Sequence, residues 1–151
     1  MSGGKFSGHS MRILIAVFLA ATLLGCDTTV KKSELASVDY GPRPQHFQAT
    51  IRDYLKIRLT DPTAAIVEFR AGPQQLYQRE TPLRKAQWGW GVCVWVNDKN
   101  KQGAFDGFYP MSVLIRNETI AHVNGGPDDD NLVGNRYARE HCEQLGAPFK
   151  K

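Results

Sequence analysis

The reactive side chains in the second half of the sequence are two cysteines and two histidines: Cys93, Cys142, His122 and His141. A thiolate beside a histidine base is the nucleophile of cysteine enzymes. However, the chain has no C-x-x-C pair and none of the local signatures that surround catalytic cysteines. Both cysteines lie on apolar stripes of the elements predicted below. We therefore expect a disulfide between Cys93 and Cys142 and no catalytic thiol.

The acidic run Asp128–Asn131 is a second candidate for chemistry. Its oxygens suit calcium, but the run lacks the alternating ligands and the distant Glu of an EF-hand loop. Carboxylates at a helix start also cap N–H groups and oppose the helix dipole. None of the three histidines at positions 46, 122 and 141 has metal-ligand spacing. We predict no catalytic residue, metal or cofactor, with a hydrolase or metal-dependent enzyme using Asp128–Asn131 and a histidine as the alternative. Such an enzyme needs a pocket where these groups meet.

A long connection between two predicted strands, residues 97–109, is the candidate partner surface. Two lysines and three aromatic residues occupy it: Lys99, Lys101, Phe105, Phe108 and Tyr109. Hairpin loops usually have about 2–5 residues, and longer loops are more often functional or disordered. Cations with nearby aromatics suit an acidic protein patch or a glycan. The alternative is a solvated hairpin whose aromatic side chains enter the core.

The N-terminal region has the composition of an export signal. Lys5 and Arg12 precede the apolar run Ile13–Leu24, which ends in Leu23-Leu24-Gly25-Cys26. The run has 12 residues, whereas a membrane-spanning helix needs about 20. A charged start, a short apolar segment and a small residue before the cut predict a secretory signal over residues 1–25.

The segment ending in Cys26 resembles the lipobox of bacterial lipoproteins. The resemblance implies cleavage before Cys26, diacylation of its thiol, and a lipid-anchored protein facing the periplasm. Asp27 resembles the signal that retains lipoproteins in the inner membrane, so that membrane is preferred over the outer one. With Cys26 used by lipid, the two remaining cysteines pair in an oxidising compartment.

Composition supports one folded domain behind a tether. From Cys26 onward the chain has 126 residues, with 17 basic against 15 acidic, so the net charge is +2. That charge is too small to indicate nucleic-acid binding. Polar residues and the Gly41-Pro42-Arg43-Pro44 sequence make residues 26–43 a lipidated tether. The globular domain is therefore predicted to span residues 44–151.

Hydrophobic periodicity predicts a helix, three or four strands and a second helix. The first helix spans Pro44–Thr60, with Pro44 at its first position, and has one apolar stripe: Phe47, Ile51, Tyr54, Leu55 and Leu59. The predicted strands are Ala65–Arg70, resumed at Gln74–Gln78 after Gly72-Pro73, then Trp88–Asn97, Phe108–Arg116 and Thr119–Val123. The second helix runs from Asp128 to about Leu145, with Ala138, Cys142 and Leu145 buried and Gly146 as its C-terminal cap.

Short connections between the strands favour an antiparallel meander. The predicted fold is therefore α+β, a three- to four-stranded antiparallel meander flanked by an N-terminal and a C-terminal helix, with both helices on one face. Trp88–Asn97 is apolar on both of its faces, which predicts a central strand covered on both sides. Asn117-Glu118 is predicted as the turn of a hairpin, where Glu is less suitable than Gly.

Two stretches resemble a group of small exported bacterial proteins, many with lipoprotein signals, whose function is not established. One is Leu59-Thr60-Asp61-Pro62-Thr63-Ala64. The other runs from Val92 to Asn100 and continues through Gly103, Gly107 and Phe108 to Pro110. The resemblance covers roughly Tyr54 to Ile120 and implies a common fold and an envelope address, with no catalytic residue transferred. We therefore expect a non-enzymatic envelope module that binds a protein or glycan partner.

Overall fold

The chain forms an open four-stranded antiparallel sheet with one helix on each face. The structure is a computed structural model that describes residues 35–80, 84–127 and 132–150. The predicted signal, Cys26, most of the tether and the acidic run Asp128–Asn131 lie outside the described residues. Among the helices described, none is long and apolar enough to cross a membrane.

The strands follow one another in the sheet in the order in which they occur in the chain. The elements are α1 (Phe47–Lys56), β1 (Ile66–Gln78), β2 (Gln87–Asn97), β3 (Tyr109–Arg116), β4 (Thr119–Asn124) and α2 (Leu132–Gln144). Neighbouring strands are antiparallel and the order is β1-β2-β3-β4. The predicted α+β meander is thus confirmed, with four strands.

Helix α1 buries the predicted apolar stripe. Ile51 and Leu55 are buried, and the other three members of the stripe pack against the same cluster. The helix spans Phe47–Lys56, so the predicted helix Pro44–Thr60 is too long at both ends and Pro44 is not its first residue. The segment ahead of the helix is held by a residue far along the chain: the Glu118 carboxylate accepts the backbone N–H groups of Gln45 and His46 at 2.7 and 3.4 Å.

Strand β1 is one continuous strand with an irregular middle. Its pairing with β2 shifts register between Phe69 and Ala71 and again between Ala71 and Gln74. Gly72 has φ +105° and precedes a cis peptide bond to Pro73. A Cβ at this position would lie 2.4 Å from the carbonyl oxygen of Gly91. Glycine is therefore required here by both conformation and space.

The two helices cover opposite faces of the sheet, which corrects the prediction that both lie on one face. Val92, Val94 and Val96 of β2 form a buried cluster with Ile51 and Leu55 of α1. The other face forms a second cluster with residues from β1, β2, β3, α2 and the segment that follows α2: Leu76, Cys93, Leu114, Cys142, Leu145 and Ala147. A sheet whose central strand is apolar on both faces needs cover on both.

Helix α2 is fixed at its C-terminal end by a cap and a disulfide. Gly146 has φ +80°, its N–H bonds to the carbonyl of Glu143, and Ala147 N–H bonds to that of Cys142. This is the Schellman arrangement, with Gly146 in the predicted capping role. Cys93 of β2 and Cys142 of α2 are joined, with their Cα atoms 5.1 Å apart. The predicted pairing of these two cysteines is therefore present in the fold.

Candidate functional site

The first candidate surface is the β2–β3 connection, and its lysines are not equivalent. Lys99 Nζ lies 2.7 Å from Asp61 Oδ2, and both side chains are about one-third exposed. The Lys99 bond, with further bonds from Thr63 and Ala64, lowers the pKa of Asp61 to about 2. Lys101 is exposed. The charge of Lys99 is therefore engaged in joining the connection to the corner after α1.

This connection is folded on itself rather than loose. The side-chain oxygen of Asn100 accepts the backbone N–H groups of Gln102 and Ala104, and its amide donates to Asp106. Phe105 remains 47 % exposed. Tyr109 instead donates its hydroxyl to the buried carboxylate of Asp98 at 3.0 Å. Of the predicted partner contacts, Lys101 and Phe105 are the exposed ones, while Phe108 and Tyr109 are half-buried.

The second candidate is a buried polar network on the α2 face of the sheet. Ser112 of β3, Asn124 of β4 and His141 of α2 are each at most 5 % exposed. Ser112 Oγ lies 3.0 Å from His141 Nδ1, and the Asn124 amide nitrogen lies 3.4 Å from both atoms. Two donors therefore face Nδ1, which favours the neutral imidazole with its proton on Nε2.

Two further side chains extend this network towards solvent. His122 Nε2 lies 3.2 Å from Asn124 Oδ1. Arg84, which comes from the β1–β2 connection, contacts His122 Nε2 and donates to Asn124 Oδ1 at 3.3 Å. Its guanidinium carbon lies 5.7 Å from the ring centre of Tyr137 on α2. Side chains from β3, β4, α2 and the β1–β2 connection thus converge at one place.

Both histidines of this network are shifted towards the neutral form. Burial lowers the pKa of His141 to about 4, with further contributions from the charges of Arg84 and His122. The pKa of His122 is also lowered, mainly by burial and then by Arg84, although its bond with Asn124 opposes the shift. At neutral pH, Arg84 is consequently the only cation among the linked side chains of the network.

A cleft of about 440 Å³ opens beside the network, between α2 and the β1–β2 connection. Its lining combines cations, carboxylates and aromatic rings: Tyr77, Arg79, Arg84, Tyr137, Glu140, His141, Glu143 and Gln144. This volume is within the range of small-ligand sites. Arg84 and His141 belong to both the network and the cleft, so the network supports one wall of the cleft.

The candidate residues from the sequence do not form one common site in the structure. His122 and His141 come together through Asn124, whereas His46 lies apart, exposed at the start of α1. Asp128–Asn131 lies outside the described residues. Among the residues that are described, no three His, Cys, Asp or Glu side chains are placed to hold one metal ion. The two cysteines are buried in the second core cluster, at 0 % exposure.

Sequence reasoning missed four members of the site: Arg84, Ser112, Asn124 and Tyr137. A usable signal existed for two of them. Ser112 is a polar residue inside an otherwise apolar strand, and Asn124 shares a strand face with His122 two positions earlier. Arg84 and Tyr137 carry no comparable signal, because an arginine in a connection and a tyrosine on a helix are ordinary.

Comparison with known proteins adds no relative to this description. No family model, no curated protein and no solved structure matches the chain.

Proposed function

We propose that this chain is a lipid-anchored bacterial envelope protein that faces the periplasm and acts as a non-enzymatic binding or accessory module. The observation that carries the proposal is the pairing of Cys93 with Cys142 in the core. A structural disulfide suits an exported protein, since thiols remain reduced in the cytosol. The pairing also leaves Cys26 as the remaining cysteine, at the position where the lipobox resemblance places the lipid.

The anchor is tested by the mass of the protein purified from membranes. The expected species begins at Cys26 and carries two or three acyl chains, each CH₂ of which contributes about 0.8 kcal/mol to membrane binding. The control replaces residues 1–25 with an ordinary cleavable export signal and carries Cys26→Ser. This control should be found in the soluble envelope fraction with its disulfide intact. An unacylated native protein, or a control that still pellets with membranes, would contradict the proposal.

A periplasmic hydrolase is the second candidate, because Ser112 Oγ and His141 Nδ1 are at hydrogen-bond distance. A serine beside a histidine base is the arrangement of many acyl-transfer enzymes. However, Ser112 is 0 % exposed, so a substrate carbonyl has no path to its Oγ in this fold. The buried pair is better explained as mutual satisfaction of polar groups between β3 and α2.

A serine-reactive fluorophosphonate distinguishes the two functions. Under the binding proposal the native protein and the Ser112→Ala variant remain equally unlabelled. Labelling that Ser112→Ala abolishes would favour the hydrolase, and the non-enzymatic assignment would be withdrawn. The variant must first be shown to be folded, for which the pairing of its two cysteines and its thermal unfolding midpoint are sufficient measures.

A further inference from the structure

The guanidinium of Arg84 is a cation that forms no ion pair with any residue that the structure describes. Among the described residues, the ion pairs involve other arginines and lysines, and none includes Arg84. Its Nη1 is used by His122 and Asn124, while its Nε is buried and has no hydrogen-bond acceptor. A buried donor without a partner costs free energy, and a partly buried charge without an opposite charge costs more.

The surrounding groups hold this cation in place and do not neutralise it. The amide nitrogen of Asn124 is hydrogen-bonded to the buried Ser112 and His141. These bonds fix the orientation of the amide whose oxygen accepts from Arg84. Tyr137 lies beside the guanidinium as an aromatic wall. Such an arginine is oriented in advance, which reduces the entropy lost when an anion binds. An arginine held in this way offers a carboxylate a charge-assisted hydrogen bond from the part of its guanidinium that Asn124 and His122 leave free.

The other charges of the cleft determine which anion fits. Arg79 contributes a second cation, but Glu140 and Glu143 line the same cleft. Glu140 is weakly compensated, with its Oε1 3.9 Å from Arg136 Nε. Two carboxylates in a small cleft repel a doubly charged phosphate or sulfate more strongly than a singly charged carboxylate. With two arginines and two glutamates in its lining, the cleft has no formal net positive charge, so a dianion gains no net attraction there over a monoanion.

We propose that the cleft between α2 and the β1–β2 connection binds the free carboxylate of an amino acid or peptide terminus, with Arg84 as the recognising group. The inference rests on the proposed role as a binding module and gives that role a ligand class. The cleft volume of about 440 Å³ admits a ligand of this size. The bound carboxylate supplies an ion-pair partner, which no described residue provides for Arg84.

The test is a titration of the mature protein followed by ¹H–¹⁵N NMR, with N-acetylalanine as the carboxylate probe. Alaninamide, which has no carboxylate, and inorganic sulfate and phosphate are titrated in parallel. The expected result is a saturable shift of the Arg84 Nε–H resonance with N-acetylalanine, none with alaninamide, and weaker binding of the two inorganic anions. Absence of a saturable shift, or tighter binding of sulfate or phosphate, overturns the proposal.

Three variants make the assignment specific. Arg84→Lys keeps the charge but loses the planar guanidinium, and is expected to weaken N-acetylalanine binding by about tenfold. Lys85→Gln removes the exposed neighbouring cation and should leave the affinity unchanged. Glu143→Gln changes an exposed residue and should tighten binding roughly twofold by removing repulsion.

Unchanged affinity in both Arg84→Lys and Glu143→Gln would overturn the proposal even if one variant were poorly folded. These outcomes are separate from the anchor. Acylation of Cys26 can hold while the cleft binds no carboxylate, in which case the binding surface lies elsewhere on the domain.

Discussion

The neutral His141 makes the stability of this domain depend on pH in a defined window. The folded protein leaves this side chain unprotonated until about pH 4, whereas its ordinary pKa is 6.5. Between these values the unfolded chain therefore binds more protons than the folded one. The contribution of His141 to the free energy of unfolding is fully present above pH 6.5, and it is lost as the pH is lowered towards 4.

The magnitude follows from the same pair of pKa values. Each pH unit between them is worth about 1.4 kcal/mol, so the loss comes to about 3 kcal/mol from His141. Since a domain of this size has a total stability of about 5–15 kcal/mol, this loss should be large enough to measure. His122 adds a loss of the same sign, because its pKa is lowered as well.

The assay is urea unfolding of the mature protein at a series of pH values between 7.5 and 4. His141→Asn removes the titrating ring while keeping an acceptor near the Nδ1 position, so this variant should lose about 3 kcal/mol less than the native protein over the window. His46→Asn is the matched control, since that side chain is exposed and lies outside the network. If the native protein and His141→Asn show parallel pH profiles, then folding does not lower the pKa of His141 and the reasoning is refuted.

Three further predictions concern the supports of the fold. Replacing both bridged cysteines by alanine opens a loop of 49 residues and should lower the free energy of unfolding by about 4 kcal/mol, measured by urea unfolding; a loss below about 1 kcal/mol would contradict this. Glu118→Ala removes the acceptor of two backbone N–H groups ahead of α1 and should cost about 1 kcal/mol, with faster amide exchange in the first turn of α1 and not in α2. Lys99→Ala should raise the pKa of Asp61 from about 2 towards its ordinary value in an NMR titration, whereas Lys101→Ala should leave it unchanged.

Local patterns predicted the elements well because each pattern reports burial within one element. The stripe on α1 and the two apolar faces of β2 follow from periods of 3.6 and 2 residues. The wrong prediction, that both helices lie on one face of the sheet, concerns how the elements pack together. A central strand that is apolar on both sides already required cover on both, and the expectation that both helices share one face disagreed with it. Periodicity identifies a buried face but does not state which element covers it.

The candidate site was less predictable because its members are distant in sequence. Arg84 reaches residues 38 and 40 positions away, and Ser112 meets His141 across 29 positions. The same holds for Glu118, a residue type that is less suitable than Gly in such a turn. Asn117 and Glu118 do adopt positive φ values of 51° and 61°, as a two-residue hairpin turn requires. The carboxylate at this position serves α1, 72 and 73 residues earlier.

The disulfide between Cys93 of β2 and Cys142 of α2 also divides the chain mechanically. The residues between the two cysteines form a closed ring, and the residues before Cys93 form an open arm. The ring contains the rest of β2, all of β3 and β4, and most of α2, whereas α1 and β1 lie on the arm. Tension entering through the N-terminal arm would unravel α1 and β1 first and could not extend the 49-residue span of the ring. At ~3.5 Å per residue, the bond withholds roughly 170 Å of chain from stretching. If such a protein were pulled between a lipid anchor at its N-terminus and a bound partner, only the arm ahead of Cys93 would be extended.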